Sequence, residues 1–264
     1  MKATLTFLGT GTSMGVPTVG CPCAVCTSAD AHDRRLRPSA LVRWKEPDGR
    51  ERTVVIDTGP DFRQQALNAG IRQVDAVFYT HAHADHILGM DDLRPLSFAA
   101  SLPGDTIPLY ADESTAEVLR RIFDYTFSPQ STYPNRARVT LHPLSGRTAL
   151  HGVEFVRVPL LHGDLEISGF RFGSAAYLTD VSTIPEASFE LLRNLDVLVL
   201  SSLRHAPHPS HATLQQAVGW AERIGARQTW LTHIAHDLGH EETNRMLPEN
   251  IRLAYDGLSL PVTL

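Results

Sequence analysis

Phe78-Tyr79-Thr80-His81-Ala82-His83-Ala84-Asp85-His86-Ile87-Leu88-Gly89 is the stretch on which the reading of this chain turns. An apolar run of the kind a buried strand carries, Ala76–Tyr79, ends abruptly in three histidines and an aspartate. The i, i+2, i+4, i+5 spacing lets a tight turn aim His81 and His83 at one point, and Asp85 and His86 at a neighbouring one. Neutral imidazole suits zinc, manganese, iron or nickel, and the carboxylate adds charge compensation for a second cation. A lone histidine here would be read as a hydrogen-bonded turn residue. Four such residues directly after an apolar strand point to metal.

The rest of the chain bounds what such a site can serve. Its 264 residues are 42% hydrophobic, 20% charged and 7% aromatic, an ordinary globular composition that disfavours disorder, collagen and coiled coil. Lys and Arg number 24 against 29 Asp and Glu, giving a net charge of −5. That balance excludes a protein that coats nucleic acid by bulk electrostatics and leaves room for a local positive pocket. Only Lys2 and Lys45 are lysines, so nearly every cation is arginine. No stretch approaches the roughly 18 uninterrupted apolar residues of a membrane span. Met1–Leu8 alternates like a strand rather than a signal peptide. A cytoplasmic protein is therefore expected. The 3 cysteines, all within Cys21–Cys26, are poor material for a secreted disulfide framework and are read as metal ligands or redox groups.

Short β-like runs recur at Thr4–Leu8, Ala40–Trp44, Thr53–Ile56, Ala76–Tyr79, Pro108–Tyr110, Val153–Val158, Phe170–Phe172, Val197–Leu200 and Thr229–Leu231. Helical patterns are interleaved at Asp61–Ala69, Met90–Ala99, Ser114–Tyr125, Ser188–Asn194, His211–Ile224 and Glu241–Met246. The helix near 211 is expected to start at a Ser210 cap and stop at Gly225. With no linker, repeat or low-complexity tract, residues 1–264 are expected to form one α/β domain with mixed sheets. Cys21–Arg37 and Ser128–Arg138 are the least regular segments and are placed as loops over a site.

The histidine motif, with Asp57 upstream in Val55-Ile56-Asp57-Thr58-Gly59, resembles the metallo-β-lactamase superfamily of binuclear hydrolases. The resemblance covers most of the chain. It implies an αββα four-layer sandwich of two mixed sheets flanked by helices, with metals at the rim between the sheets. Three downstream ligands of that superfamily find matches in order: His162 in Leu161-His162-Gly163, Asp180 in Leu178-Thr179-Asp180, and His233 in Leu231-Thr232-His233. The resemblance then implies one metal on His81, His83 and His162 and another on Asp85, His86 and His233, with Asp180 bridging. Asp57 looks like the acid that orients a liganding histidine.

Cys21-Pro22-Cys23-Ala24-Val25-Cys26 supplies three thiolates, one ligand short of a closed tetrahedral zinc site. His236, three residues beyond His233, would complete it, against a redox pair or an incomplete iron–sulfur site as the other readings. Cys21, Cys23 and Cys26 with His236 closely resemble the PhnP-like phosphoribosyl 1,2-cyclic phosphate phosphodiesterases. Gly9–Pro17, Asp57–Arg63 and Gly89–Leu96 support that narrower match. Arg94, in the last of these, is read either as a phosphate contact or as a salt bridge to Asp91 or Asp92. The segment His208-Pro209-Ser210-His211 falls where the family keeps a non-ligand histidine near the substrate phosphate, making His211 a catalytic candidate beside Asp180 and Asp85.

The resemblance thus implies hydrolysis of a cyclic phosphodiester, such as a ribose cyclic phosphate, to a phosphomonoester through a hydroxide bridging two divalent ions (Mn or Zn), with one structural zinc elsewhere. A small-molecule phosphodiester is the expected partner. No membrane and no nucleic acid beyond small nucleotides is expected, and superfamily relatives often form homodimers. Other hydrolases of the fold are the alternatives: an RNA 3′-processing nuclease, a thioesterase or a relative from PQQ biosynthesis. The first would need a basic, Gly-rich arm that the sequence does not show.

Overall fold

The runs Thr53–Ile56 and Ala76–Tyr79 lack the polar alternation of a half-exposed strand because both faces of these strands are covered. The computed structural model describes residues 1–99 and 106–264. The strands are β1 (Lys2–Gly9), β2 (Ser39–Lys45), β3 (Glu51–Ile56), β4 (Ala76–Phe78), β5 (Ile107–Ala111), β6 (Val139–Pro143), β7 (Arg147–Leu150), β8 (Val153–His162), β9 (Leu165–Phe172), β10 (Ala175–Leu178), β11 (Val197–Ser201), β12 (Gln228–Thr232), β13 (Ile251–Leu253) and β14 (Ser259–Thr263). They form two seven-stranded sheets, ordered β14-β1-β2-β3-β4-β5-β6 and β13-β12-β11-β10-β9-β8-β7. Each sheet is parallel on one side, from β3 to β6 and from β10 to β13, and antiparallel on the other.

Alternate residues build three apolar seams. Val54, Ile56, Ala76 and Phe78 point between the sheets and meet Phe155, Phe170, Tyr177 and Val199. The Phe78 ring stacks on Phe155 at 4.7 Å and meets Phe170 edge-on at 5.3 Å. The intervening Val55 and Val77 pack outward with Leu109 against Phe62, Leu93 and Leu119 of the covering helices. On the far side Leu178, Leu198, Leu200 and Leu231 pack against Ala217 and Ala221 of helix Leu214–Ile224. The result is the expected αββα four-layer sandwich. Full burial of a side chain such as Phe78 contributes about 2–3 kcal/mol. Tertiary burial of this kind stabilises a strand as short as β4.

Several boundaries differ from expectation. Helix Ser114–Tyr125 is broken at Phe123, which takes non-helical backbone, into Glu113–Ile122 and Asp124–Phe127. Helix Ser188–Asn194 lies earlier, at Glu186–Glu190. The helix expected from His211 begins at Leu214, because Thr213 and Gln216 form a reciprocal capping box; Gly225 does end it, at φ 68°. Strand β14 went unmarked because Pro261 interrupts it, and it is tolerated there on a sheet edge. Among the described residues no helix is long and apolar enough to cross a membrane.

Candidate metal centre

Each ligand candidate of the histidine centre, and Asp57 beside it, sits at or just past the C-terminal end of a strand. Asp57 follows β3, His81–His86 follow β4, His162 is the last residue of β8, Asp180 lies two residues past β10, and His233 follows β12. Strand β8 therefore runs four residues beyond the expected Val158 and delivers His162 itself. Strands β8 and β10 are both antiparallel to β9, and β12 runs parallel to β10 through β11, so these ends share one edge. Thr80 ties the two sheets together there, its carbonyl accepting from Ser168 N at 3.0 Å.

The backbone turns sharply at that edge. Asp57, Asp180 and His233 have φ of 62°, 59° and 56°, three of the five non-glycine residues with positive φ among the described residues. Such a conformation costs about 1–2 kcal/mol per residue. It persists here because hydrogen bonds from several strands fix each turn. Two glycines allow the Asp57 loop to lie on the histidine loop: a Cβ on Gly59 would stand 1.9 Å from the Asp85 carbonyl oxygen, and one on Gly89 would stand 2.0 Å from that of Gly59. The loops are joined by Thr58 N to His86 O and Gly89 N to Thr58 O, both 2.8 Å.

Hydrogen bonds set which ring nitrogen faces inward. His86 Nδ1 donates to Asp57 Oδ2 at 2.7 Å, and Thr80 donates to the same carboxylate through its backbone N–H and its hydroxyl, each at 2.8 Å. The Thr80 hydroxyl, having given its proton to Asp57, accepts from His81 Nδ1 at 3.0 Å. His162 Nδ1 donates to the carbonyls of Asp180 at 2.9 Å and Ser210 at 2.7 Å. Thr179 Oγ1 donates to Asp180 Oδ1 at 2.7 Å. Thr80, Thr179 and Ser210 are the positioning residues that the sequence reading missed; only the proximity of Thr80 and Thr179 to ligand candidates could have flagged them.

With Nδ1 of His81, His86 and His162 so engaged, their Nε2 lone pairs turn inward. Two donor sets result: His81, His83, His162 and Asp180, and Asp85, His86, Asp180 and His233, the atoms of each lying within 4.8 Å of one another. Asp180 is common to both. His86 Nε2 lies 3.2 Å from Asp85 Oδ2 and 3.4 Å from Asp180 Oδ1, and His233 Nε2 lies 3.3 Å from Asp180 Oδ2. The Nε2 atoms of His81, His86 and His233 and Asp85 Oδ2 are buried without hydrogen-bond partners. Burial opposes charge on both His86 and Asp85. The surrounding carboxylates nonetheless hold the His86 pKa well above its usual value, and His86 and His233 hold Asp85 below the usual carboxylate range. Three buried carboxylates, Asp57, Asp85 and Asp180, thus converge on lone pairs with an excess of negative charge. Divalent cations would satisfy these orphaned atoms, so the residues fit a pair of metals.

A second cluster lies beside the first. His236 Nδ1 is 3.1, 3.5 and 3.4 Å from the sulfurs of Cys21, Cys23 and Cys26. Tetrahedral zinc with ordinary Zn–S and Zn–N bonds separates sulfur from nitrogen by about 3.5 Å, so this donor set also fits. The loop carrying His236 is clamped by the fully buried Arg35, which donates to the carbonyls of Ala235 at 3.1 Å and Leu238 at 2.8 Å. His32, His240 and Glu241 form a third grouping, in which the rings of His240 and Tyr255 pack on His32 at 4.5 and 4.2 Å.

His211 stands between the two main donor sets, its ring 4.5 Å from His162 and 4.8 Å from His233. It precedes the helix cap rather than sitting in the first turn, and is pinned instead through its neighbours: the Ser210 carbonyl holds His162, and Ala212 N donates to Val181 O at 2.7 Å. Burial, with His233 next, pushes its pKa down to about 3, so the ring is neutral. Arg94 pairs with Asp91 at 3.6 Å, one of the two expected partners, and donates to Tyr133 Oη at 3.1 Å.

Comparison with known proteins places the chain in a family of this fold. A model of the β-lactamase superfamily domain matches residues 52–234. A crystal structure described as a new diphosphatase from the PhnP family is 56% identical, covers 99% of this chain and 98% of its own, and superposes with a TM-score of 0.92. Zinc-bound PqqB from Methylobacterium extorquens is 20% identical over 97% of this chain and 99% of its own, with a TM-score of 0.76, a likeness of fold. Among curated proteins, an octanoyltransferase of Porphyromonas gingivalis is 38% identical over 96% of this chain and 50% of its own length. Coenzyme PQQ synthesis protein B of Methylobacterium nodulans is 32% identical over 54% of this chain and 53% of its own. The chain spans about half the length of these curated relatives.

Proposed function

The chain belongs to the metallo-β-lactamase superfamily as a PhnP-like metal-dependent hydrolase, and we propose that it cleaves a phosphoryl group carrying two substituents in a small molecule. The observation that carries this reading is Asp180, one carboxylate common to two complete donor sets. His81, His83, His162 and Asp180 would hold one divalent ion, and Asp85, His86, His233 and Asp180 the other. When bound, such a pair supplies a water acidic enough to attack at neutral pH and positive charge against the phosphoryl oxygens.

The chain's own residues do the rest. Thr179 holds the Asp180 carboxylate, and Asp57 and Thr80 keep the His86 and His81 protons on Nδ1. His211, wedged between His162 and His233, hydrogen-bonds a phosphoryl oxygen of the bound substrate. The chain's similarity to a structure described as a diphosphatase favours a phosphoanhydride as the scissile group. The Cys21–Cys26 and His236 cluster supports the cyclic ribose phosphate as the second reading. Zinc-loaded protein should therefore open phosphoribosyl 1,2-cyclic phosphate to the 1,5-bisphosphate, or split a dinucleoside diphosphate into two monophosphates, as followed by phosphorus NMR after quenching with chelator. Turnover of neither by fully metallated protein would overturn the proposal.

Two variants test the supporting residues. Asp57→Asn removes the charged acceptor of His86 Nδ1, and metal affinity of the Asp85, His86 and His233 set should fall about 10–100-fold by chelator competition. An unchanged affinity would remove Asp57 from that role. Cys23→Ser should lose about one zinc per chain by elemental analysis and lower the urea midpoint, and an unchanged zinc count would refute zinc at that cluster.

A further inference from the structure

We propose that His208 is a specificity-determining residue, a second imidazole donor at the mouth of the site that reads an anionic group adjoining the scissile phosphoryl group. The inference rests on the phosphoryl-hydrolase reading above. The His208 ring lies 4.9 Å from that of His211, which in turn lies 4.5 Å from His162. The three imidazoles thus form a row leading outward from the donor sets, and His208, at its outer end, is half-buried.

Its tautomer follows from its neighbours. Ser210 N lies 3.3 Å from His208 Nδ1, and a backbone N–H can only donate, so Nδ1 is the acceptor and the proton resides on Nε2. The hydrogen bonds that His208 makes among the described residues both fall on Nδ1, which leaves the Nε2 N–H for a ligand. The loop that carries the ring is also tied down. Pro207 and Pro209 flank it, and Arg204 folds over its loop, donating to the carbonyls of Ala206 at 3.2 Å and Pro207 at 3.1 Å. An N–H donor oriented by Ser210, on a loop that also carries the Arg204 guanidinium, suits an anion, and its place beside His211 suits the second phosphate of a diphosphate or a phosphate substituent on a sugar.

The test is calorimetric binding of methylenediphosphonate and of methylphosphonate, two probes that are not hydrolysed, to zinc-loaded wild type, His208→Ala and His208→Gln. The alanine variant should weaken methylenediphosphonate about tenfold, a size set by one lost hydrogen bond to a charged group. Methylphosphonate should stay within twofold, and glutamine, which restores a donor, should recover part of the loss. Equal weakening of both probes, with lower zinc content, would show that His208 only braces Ser210 behind His162, and would overturn the proposal. So would no change with either probe. Because the probes report binding, the comparison stands apart from hydrolysis: a wild type that turns over no phosphoryl substrate would sink the reaction while still reporting on His208.

Discussion

Asp180→Ala is expected to lower kcat/KM by roughly 10³-fold or more, about 4 kcal/mol of transition-state stabilisation, and to reduce bound metal at both donor sets together. The physical reason is the sharing. Removing a carboxylate that belongs to one set would impair one ion, whereas Asp180 belongs to both, and its backbone carbonyl also fixes the His162 tautomer. The alanine variant keeps that carbonyl, so the effect belongs to the side chain. The left-handed backbone at residue 180 costs alanine slightly more than aspartate, which adds a small stability loss. Elemental analysis and steady-state kinetics on the same preparation check it. A variant with full metal content and undiminished rate would remove Asp180 from the bridging position.

The second large effect is structural. Gly59→Ala would place a Cβ 1.9 Å from the Asp85 carbonyl oxygen, a backbone atom that cannot swing aside. The Asp57 loop and the histidine loop must then part, breaking the bonds from Thr58 N to His86 O and from Gly89 N to Thr58 O. A loss of about 3 kcal/mol in urea unfolding is expected, together with reduced metal binding, because Asp85 and His86 ride on the displaced loop. Gly146→Ala, where an added Cβ meets nothing within 4 Å, is the control and should change stability by no more than about 0.5 kcal/mol. A Gly59→Ala protein as stable and as metallated as the wild type would show that the two loops need no such contact.

Much of this centre was legible before any coordinates. His81, His83, Asp85 and His86 announce themselves because four ligand residues at that spacing follow an apolar strand, and the spacing alone brings them together. His162, Asp180 and His233 each follow a β-like run, but other histidines compete with them, and only that context combined with the order implied by the family resemblance singled them out. His236 came from its three-residue distance to His233, and the structure places it against all three sulfurs. What stayed hidden was set by contacts between distant segments. Sequence cannot reveal that Thr80 joins Asp57 to His81, because residues 57 and 80 meet only when β3 and β4 pair. Nor can it reveal positive φ at Asp57, Asp180 and His233, since no glycine marks those turns.

The helix start near 211 was misplaced for a related reason. Ser210 is a good cap residue by type, and Thr213 is another three positions on. The tertiary bonds of Ser210 O to His162 and of Ala212 N to Val181 draw Ser210–Ala212 into the site, leaving Thr213 to cap with Gln216. Tertiary demand outweighed local propensity there, and it put His211 between the two donor sets.

Anomalous scattering from crystals of the zinc-loaded protein tests the central claim most directly. Two peaks are predicted at the histidine centre, one among His81, His83, His162 and Asp180 and one among Asp85, His86, His233 and Asp180, with the Asp180 carboxylate touching both, apart from the peak expected at Cys21, Cys23, Cys26 and His236. A single peak at the histidine centre, or ions there that leave the Asp180 carboxylate uncoordinated, would contradict a two-metal centre.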